Sequence, residues 1–399
     1  MTNKDANIGK LSPLVEDAYI KAQDVLDRCS TPGGFFASPV QYNAVYARDA
    51  LIASLGGLIC CDERFVRQWF KTMSTLMNRQ SRTGQIPNCV DTFIPSRPRL
   101  VAFGAADASL WFILTLAYAE RLIGICTDFH QAAARAMFWL KYQDAHEDGL
   151  IEQQESTDWM DIIDNRGHVL YTNALYFATL DLRGDIRRAN LVREAMNAYL
   201  WADELGYFYP YSWKQEHGDW FDAPGNLFAV AFGLADKDQT ASILDYIIGN
   251  KIDEPYPIRT IYPPIQPGDK DWREYYRTEH ELNMPNQYHN GGIWPWVGGL
   301  YVAALVRAGL LDRAHAALYK LAEANKLGRD HEWEFNEWLH GITGEPKGSP
   351  DQVWSAGMFL YAYTCVKQGN EPVFSSIIPD KCQTIYGTIT ASNEEINLG

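Results

Sequence analysis

Cysteine pairs, long apolar runs, basic clusters and strand-like alternation are all scarce in this sequence of 399 residues, and each scarcity removes a class of protein. The seven cysteines (Cys29, Cys60, Cys61, Cys89, Cys126, Cys365, Cys382) are odd in number and scattered, with no CxxC pair. Neither a disulfide framework nor a thiolate metal site is expected, and the thiols read as reduced and mostly buried. The longest apolar run, ALIASLGGLICC at 50–61, is too short to span a bilayer, and MTNKDANIGK at the start lacks a basic-then-apolar layout. A cytoplasmic protein with no membrane partner is the expectation. Net charge is −15 without a basic stripe, which excludes nucleic acid as a partner, because phosphate binding rests on clustered Lys and Arg. EHEL at 279–282 and HEWE at 331–334 lack the i, i+4 histidine pair of a helix-borne zinc site, so no metal and no cofactor is expected.

What the chain does have is helical periodicity and more aromatic residues than a core needs, with 13 Trp and 22 Tyr. Six segments are apolar on most sides and rich in small residues, at roughly 48–60, 105–123, 171–182, 225–234, 294–308 and 351–366. Amphipathic partners lie between them at roughly 11–29, 62–80, 127–143, 185–201, 237–249 and 311–326. The apolar segments start about 55 to 68 residues apart, a degenerate repeat of helix pairs. A helix apolar all round is buried all round, so six inner helices ringed by six outer ones predict an all-α fold, a closed (α/α)6 barrel. No Pro/Gly/Ser-rich linker breaks the repeat, which predicts one domain over 1–369 and a C-terminal tail over 370–399.

The connections are lopsided. Inner helices reach the next outer helix through a few residues, whereas the return connections are long: roughly 30–47, 81–104, 144–170, 202–224, 250–293 and 327–350. Loops of that length in a compact domain are functional or disordered, and all six fall at one mouth, at the N-terminal ends of the inner helices. The mouth collects Tyr46, Arg48, Asp49, Asp107, Trp220, Asn226, His289, Asn290, Trp294, Glu334, Glu337, Gln352 and Trp354. To these the loop ESTDWMDIID at 155–164 adds Asp158, Trp159 and Asp161. Acids, amides and aromatic rings on one rim suit a carbohydrate, which offers hydroxyls to the first two and apolar CH faces to the third.

At these residues the chain resembles a known group. ASPVQYNAVYARDALIASLGGL, GQIPN, DASLWFI, DWMD, HNGGIWPW and FNEWLHGITGEPKGSPDQVWSAG stand in the order of motifs of inverting (α/α)6 glycoside hydrolases. The chain looks most like the glucosidase domain of glycogen-debranching (amylo-α-1,6-glucosidase) enzymes and like the neutral/alkaline invertases, over about residues 34–366. The resemblance implies Asp161, from WMD, as the general acid and Glu337, from FNEW, as the base that activates water. An inverting pair holds its carboxyls about 6.5 to 9.5 Å apart. Asp161 must then keep its proton near neutral pH, by burial or by negative neighbours such as Asp158 and Asp164. Asp158 is the substitute candidate, and a purely structural acidic loop is the third reading.

The remaining residues carry two readings each. Arg48 and Asp49 bind the sugar at the cleavage subsite or form an ion pair at a helix start. Asp107 binds or caps. His289, Asn290 and Trp294 contact sugar or, in HNGG, only make a turn. Tyr46, Trp220, Gln352 and Trp354 line the rim or pack, and Glu332 and Glu334 read as solvated neighbours of Glu337. The pattern departs from the family in three ways: only about 30 residues precede the first motif, FNEWLHG stands where PEYYDG is expected, and MIDRR is absent. A small α-glucoside or sucrose-like substrate is expected rather than branched glycogen. Rival readings are a histidine-based sugar 2-epimerase on the same barrel, using His289, His331 and His340, and a catalytically silent sugar-binding protein. The glycone, aglycone, linkage and any homo-oligomeric state are left open by these residues.

Overall fold

The computed structural model describes residues 11–124, 126–278 and 282–372. It contains, in order, α1 Pro13–Cys29, α2 Ala47–Ile59, α3 Glu63–Met77, α4 Asp107–Ile123, α5 His130–Lys141, α6 Leu170–Leu182, α7 Ile186–Tyr199, α8 Ala223–Ala231, α9 Lys237–Gly249, the short α10 Tyr275–Thr278, α11 Pro295–Arg307, α12 Leu311–Lys326 and α13 Val353–Gln368. The twelve expected helices are all present within a few residues of their expected bounds. Helices α2, α4, α6, α8, α11 and α13 pack each on the next, and α13 returns to α2, closing the inner ring. The fold is the expected (α/α)6 barrel, and one apolar core runs through it from Val15 to Val366. Most of the expected tail, residues 373–399 with Cys382, lies outside the described residues.

The two rings begin differently. Four of the six outer helices start on side-chain caps, α5 and α12 being the exceptions: Ser12 accepts from the Val15 N–H, Asp62 from Arg64, Asp185 from Arg188, and Asp236 forms a capping box with Gln239. None of the inner helices has a side-chain cap. Several start from short strands of the mouth instead, α2 after Val45–Tyr46, α6 after Gly167–Val169 and α8 after Phe221–Asp222. The long loops thereby enter the ring as ordered ladders, including a four-stranded sheet of Glu152–Gln153, Gly167–Val169, Tyr211–Trp213 and Glu216–His217.

Small residues make the closure. A Cβ on Gly56 would stand 1.8 Å from the Gly357 carbonyl oxygen, and one on Gly357 would stand 2.3 Å from Ala53 Cα. Helices α2 and α13 touch backbone to backbone there, so no larger side chain fits without moving the wall. Cys29, Cys60, Cys89, Cys126 and Cys365 carry no disulfide. Cys61 is disulfide-bonded, which corrects the expectation of reduced thiols at that position. No helix among the described residues is long and apolar enough to cross a membrane.

Candidate active site

The four carboxylates of the 155–164 loop have separate fates. Glu155 pairs with Arg166 at 2.8 Å on the surface. Asp164 takes Arg273 Nε at 2.7 Å. Asp158 is buried, and its oxygens accept from Gln153 Nε2 at 2.8 Å and from the Met160 N–H at 2.7 Å. It is a brace of the loop, and the substitute reading of Asp158 as the acid loses its geometric basis. Asp161 alone is left, bonded among the described residues only by its own backbone N–H. It is exposed, although protein atoms crowd its carboxyl. Burial raises its pKa; the Arg48 charge opposes this and the Asp107 charge adds to it.

Glu337 lies in the loop before α13 and is 5% exposed. Its Oε2 accepts from the Ser349 N–H at 2.9 Å, the Glu337 N–H returns a bond of 2.9 Å to the Ser349 carbonyl, and its Oε1 accepts from the Tyr42 hydroxyl at 3.4 Å. A Cβ on Gly348 would come within 2.5 Å of Oε2, so glycine is needed there for the strand to close on the carboxylate. Burial pushes the Glu337 carboxyl up to about 7; the Ser349 and Tyr42 bonds lower it and the Asp161 charge raises it. Asp49 is likewise pushed up to about 7, by burial first and then, against the Arg48 charge, by Glu337 and Asp107. Burial raises the Tyr288 hydroxyl, and Glu337, Asp161, Tyr42 and Asp49 all add to that rise. The Asp161 charge thus reaches Glu337 from a distant segment, and both reach the Tyr288 hydroxyl.

Other expected site residues have different partners. Arg48 donates to Asp107 through Nε at 2.6 Å and Nη2 at 2.9 Å, and Tyr171 donates to the same carboxylate at 2.9 Å. Burial would depress the Arg48 guanidinium, and the Asp107 charge and hydrogen bonds more than reverse it. The expected sugar binder is therefore bound beneath the mouth, where its charge acts on Asp161, Asp158, Asp49 and His289. Asp107, fully buried, does not cap its helix; it neutralises Arg48. Asn290 is corrected too. Its Oδ1 accepts from the Ile265 N–H at 2.7 Å and its Nδ2 donates to the Ile265 carbonyl at 2.9 Å and the Asn283 carbonyl at 3.1 Å, so it clamps a loop and, fully buried, shows no free N–H to a sugar. Asn226 holds Phe208 in the same manner, and Asn173, at the matching fourth position of α6, holds Ile151. Glu334 is not solvated: it is 1% exposed and accepts from the Asp330 and His331 N–H groups. Glu332 is exposed and pairs with Lys326.

The aromatic candidates do assemble. The Trp159 ring meets His289 at 5.0 Å, Trp294 at 5.3 Å and Trp296 at 5.0 Å, all edge to face. His289 stacks on Trp294 at 5.2 Å, and Trp354 on Trp296 at 5.4 Å. Trp294 Nε1 donates to the Tyr288 carbonyl at 2.9 Å, which ties the cluster to the phenol at the carboxyl pair. Burial and then the Arg48 charge hold His289 well below its ordinary pKa, so it is a neutral ring inside this cluster. Gln352 is 1% exposed at the start of α13, and Trp220 is 3% exposed. Tyr46 keeps an open face and meets Tyr42 edge to face at 5.9 Å.

Sequence reasoning does not single out Tyr42, Tyr288 or Trp296. Each lies one to four residues from one that it does, inside SPVQYNAVY, QYHNGG or WPW, so motif membership is the available signal. A second signal appears only in the backbone: Tyr288, Trp333 and Phe335 have φ of 44°, 65° and 45°, which bulky residues rarely adopt. Strain of this kind, about 1–3 kcal/mol each, collects at functional loops, and these three flank His289 and Glu337.

Comparison with known proteins agrees with this geometry. Residues 189–369 match the family described as alkaline and neutral invertase. The alkaline/neutral invertase C, mitochondrial, of Arabidopsis thaliana is 26% identical over 186 residues, covering 45% of this chain and 27% of that protein. The chain thus spans little more than a quarter of the length of the curated relative it matches there. Among solved structures, a GH63 mannosylglycerate hydrolase from Thermus thermophilus, in complex with Tris and D-glycerate, superposes with a TM-score of 0.66 at 13% identity, covering 87% of this chain and all of that one. A bacterial glucoamylase complexed with acarbose gives 0.63 at 12% identity, over 96% of this chain and 59% of its own. The chain shares the (α/α)-barrel fold of these glycosidases, and its residues 189–369 are similar to the alkaline and neutral invertases.

Proposed function

We propose that the protein is an inverting hydrolase of α-linked glycosides, acting on a small α-glucoside or sucrose-like substrate, with Asp161 as acid and Glu337 as base. The observation that carries this reading is that both carboxyls are raised in pKa, the Asp161 charge adding to the rise of Glu337, and that both add to the rise of the one Tyr288 hydroxyl. Their surroundings support different tasks. Glu337 is held by the Ser349 N–H and the Tyr42 hydroxyl, bonds that favour its ionised form, whereas Asp161 has no such donors beyond its own N–H. Ionised Glu337 takes a proton from water as the water oxygen bonds to the anomeric carbon. The glycosidic C–O bond breaks on the opposite face, and its oxygen receives the Asp161 proton. Asp49, Tyr46 and Tyr42 keep open or half-open faces for the glycone, and the Trp159–His289–Trp294 cluster backs them.

The epimerase reading requires histidine bases that meet. His289 is buried in the aromatic cluster, His340 Nδ1 accepts from the turn N–H groups of Ile342 and Thr343, and His331 is exposed. A silent sugar-binding protein would have no use for two carboxyls raised in pKa.

The test is a screen of sucrose, isomaltose, maltose, trehalose and small α-glucosides, adding mannosylglycerate, with proton NMR of the first product. Release of the β-anomer from an α-glycoside is expected. Asp161→Asn and Glu337→Gln should each lower kcat by about 10²- to 10⁴-fold and leave sugar affinity and the unfolding midpoint nearly unchanged. Release of the α-anomer first, or either variant keeping wild-type turnover, would overturn the assignment.

A further inference from the structure

Away from the carboxyl pair, strands Glu152–Gln153 and Gly167–Val169 run antiparallel with Glu152 opposite His168, so both side chains leave the same face. His146, in the loop before them, folds back and its Nδ1 meets Glu152 Oε1. Among the described residues, His146, Glu152 and His168 form the one group of three histidine, cysteine or acid side chains whose donor atoms all lie within 4.8 Å of one another. His168 is 9% exposed, and its Nε2 makes no hydrogen bond. Yet that nitrogen stands 3.6 Å from Glu152 Oε1 and 3.3 Å from Asp148 Oδ2. A simple histidine–carboxylate pair points one N–H at one oxygen. Here one buried nitrogen stands within 4 Å of two carboxylate oxygens and is hydrogen-bonded to neither. Four ligands held tetrahedrally at zinc distances of about 2.0–2.2 Å stand about 3.4 Å from one another, near the two spacings that His168 Nε2 makes; His146 Nδ1 lies closer to Glu152 Oε1 and would draw back on its exposed loop to bind.

We propose that His146, Glu152 and His168, with Asp148 beside them, bind a divalent transition-metal ion of the Zn²⁺ type. Two imidazole nitrogens with a carboxylate suit such an ion, whereas Ca²⁺ and Mg²⁺ favour all-oxygen shells. A cavity of about 600 Å³, lined also by Tyr199 and Trp213, opens beside the three side chains and admits water to complete the shell. The ion's place gives its role. It clamps the base of the hairpin whose loop, 154–166, carries Asp161, and so stiffens the acid's support without entering the reaction. This site stands whether or not the glycosidase reading does.

The experiment uses the full chain, stripped with chelator, and titrates ZnCl₂ by calorimetry with CaCl₂ in parallel. CoCl₂ absorption reads the donor set. One saturable Zn²⁺ per chain, no comparable Ca²⁺ binding, a rise in Tm with Zn²⁺, and visible Co²⁺ bands of a nitrogen/oxygen site are expected. His168→Ala and His146→Ala should each weaken Zn²⁺ binding by at least about tenfold, and His315→Ala on α12 should not. The His146 side chain is 68% exposed on a loop, so its variant folds even where His168→Ala does not. Absence of saturable Zn²⁺ binding, equal affinity for Ca²⁺, or unchanged affinity in His146→Ala would overturn the site.

Discussion

The wall of the barrel and its mouth are built on opposite principles. In the wall, at the α2–α13 seam, glycines let two backbones touch, and stability comes from packing with no charge involved. At the mouth, a few residues away along the same helices, Arg48, Asp107 and Glu337 are withdrawn from water, and aromatic residues sit at positive φ. Packing of the first kind stabilises the fold, while features of the second kind cost stability and are tolerated because the wall holds them. The glycosidase chemistry proposed above needs that arrangement, since carboxyls left in bulk water would titrate near 4 and could not divide the roles of acid and base.

The contrast can be broken hardest at the buried ion pair. Asp107→Asn leaves the Arg48 guanidinium without its counter-charge, and unfolding in urea should show a loss of about 3–5 kcal/mol. The same change removes a negative charge that raises Asp161 and Asp49, so the folded fraction should lose activity beyond its loss of stability. An unfolding midpoint equal to that of the wild type would mean that Arg48 finds another acid and that the pair is no foundation of the mouth.

The wall answers differently. Gly357→Val forces α2 and α13 apart, at a cost of about 1–3 kcal/mol or more, read again from urea unfolding. Because no reacting group lies at that seam, kcat per folded molecule should stay within about twofold of wild type. A kcat that falls together with stability would show that wall and mouth are coupled rather than separate.

Legibility in the sequence follows the same division. The inner helices are readable because all-round apolarity has one physical meaning, burial, and all six lie where that pattern places them. The proposal of Asp161 and Glu337 as acid and base rests on motif order. Side-chain direction on loops is not: nothing in HNGG tells whether Asn290 faces a ligand or clamps Ile265, and nothing in ARDA tells that Arg48 turns to Asp107, 59 residues away. Glu334 is misread for the same reason, because the N–H groups that satisfy it come from a turn. The His146–Glu152–His168 group is invisible there because strand register, not spacing along the chain, puts Glu152 opposite His168.

The finest test of the contrast concerns one hydrogen bond at the mouth. Glu337 is raised from 4.5 to about 7, so the folded protein holds that proton more tightly than the unfolded chain does. Its contribution to stability is full below about 4.5 and is lost as pH rises through about 7, the opposite of a salt-bridged surface acid. The proposed base works only when ionised, so kcat/KM should rise with pH along a limb centred near 7. The Tyr42 hydroxyl lowers that pKa by donating to Oε1. Tyr42→Phe removes the bond, worth about 0.5–1.5 kcal/mol, and should move the limb upward by about half to one pH unit while kcat on the plateau changes little. A limb that stays in place or moves down would detach Tyr42 from Glu337 and leave the mouth's electrostatics to burial alone.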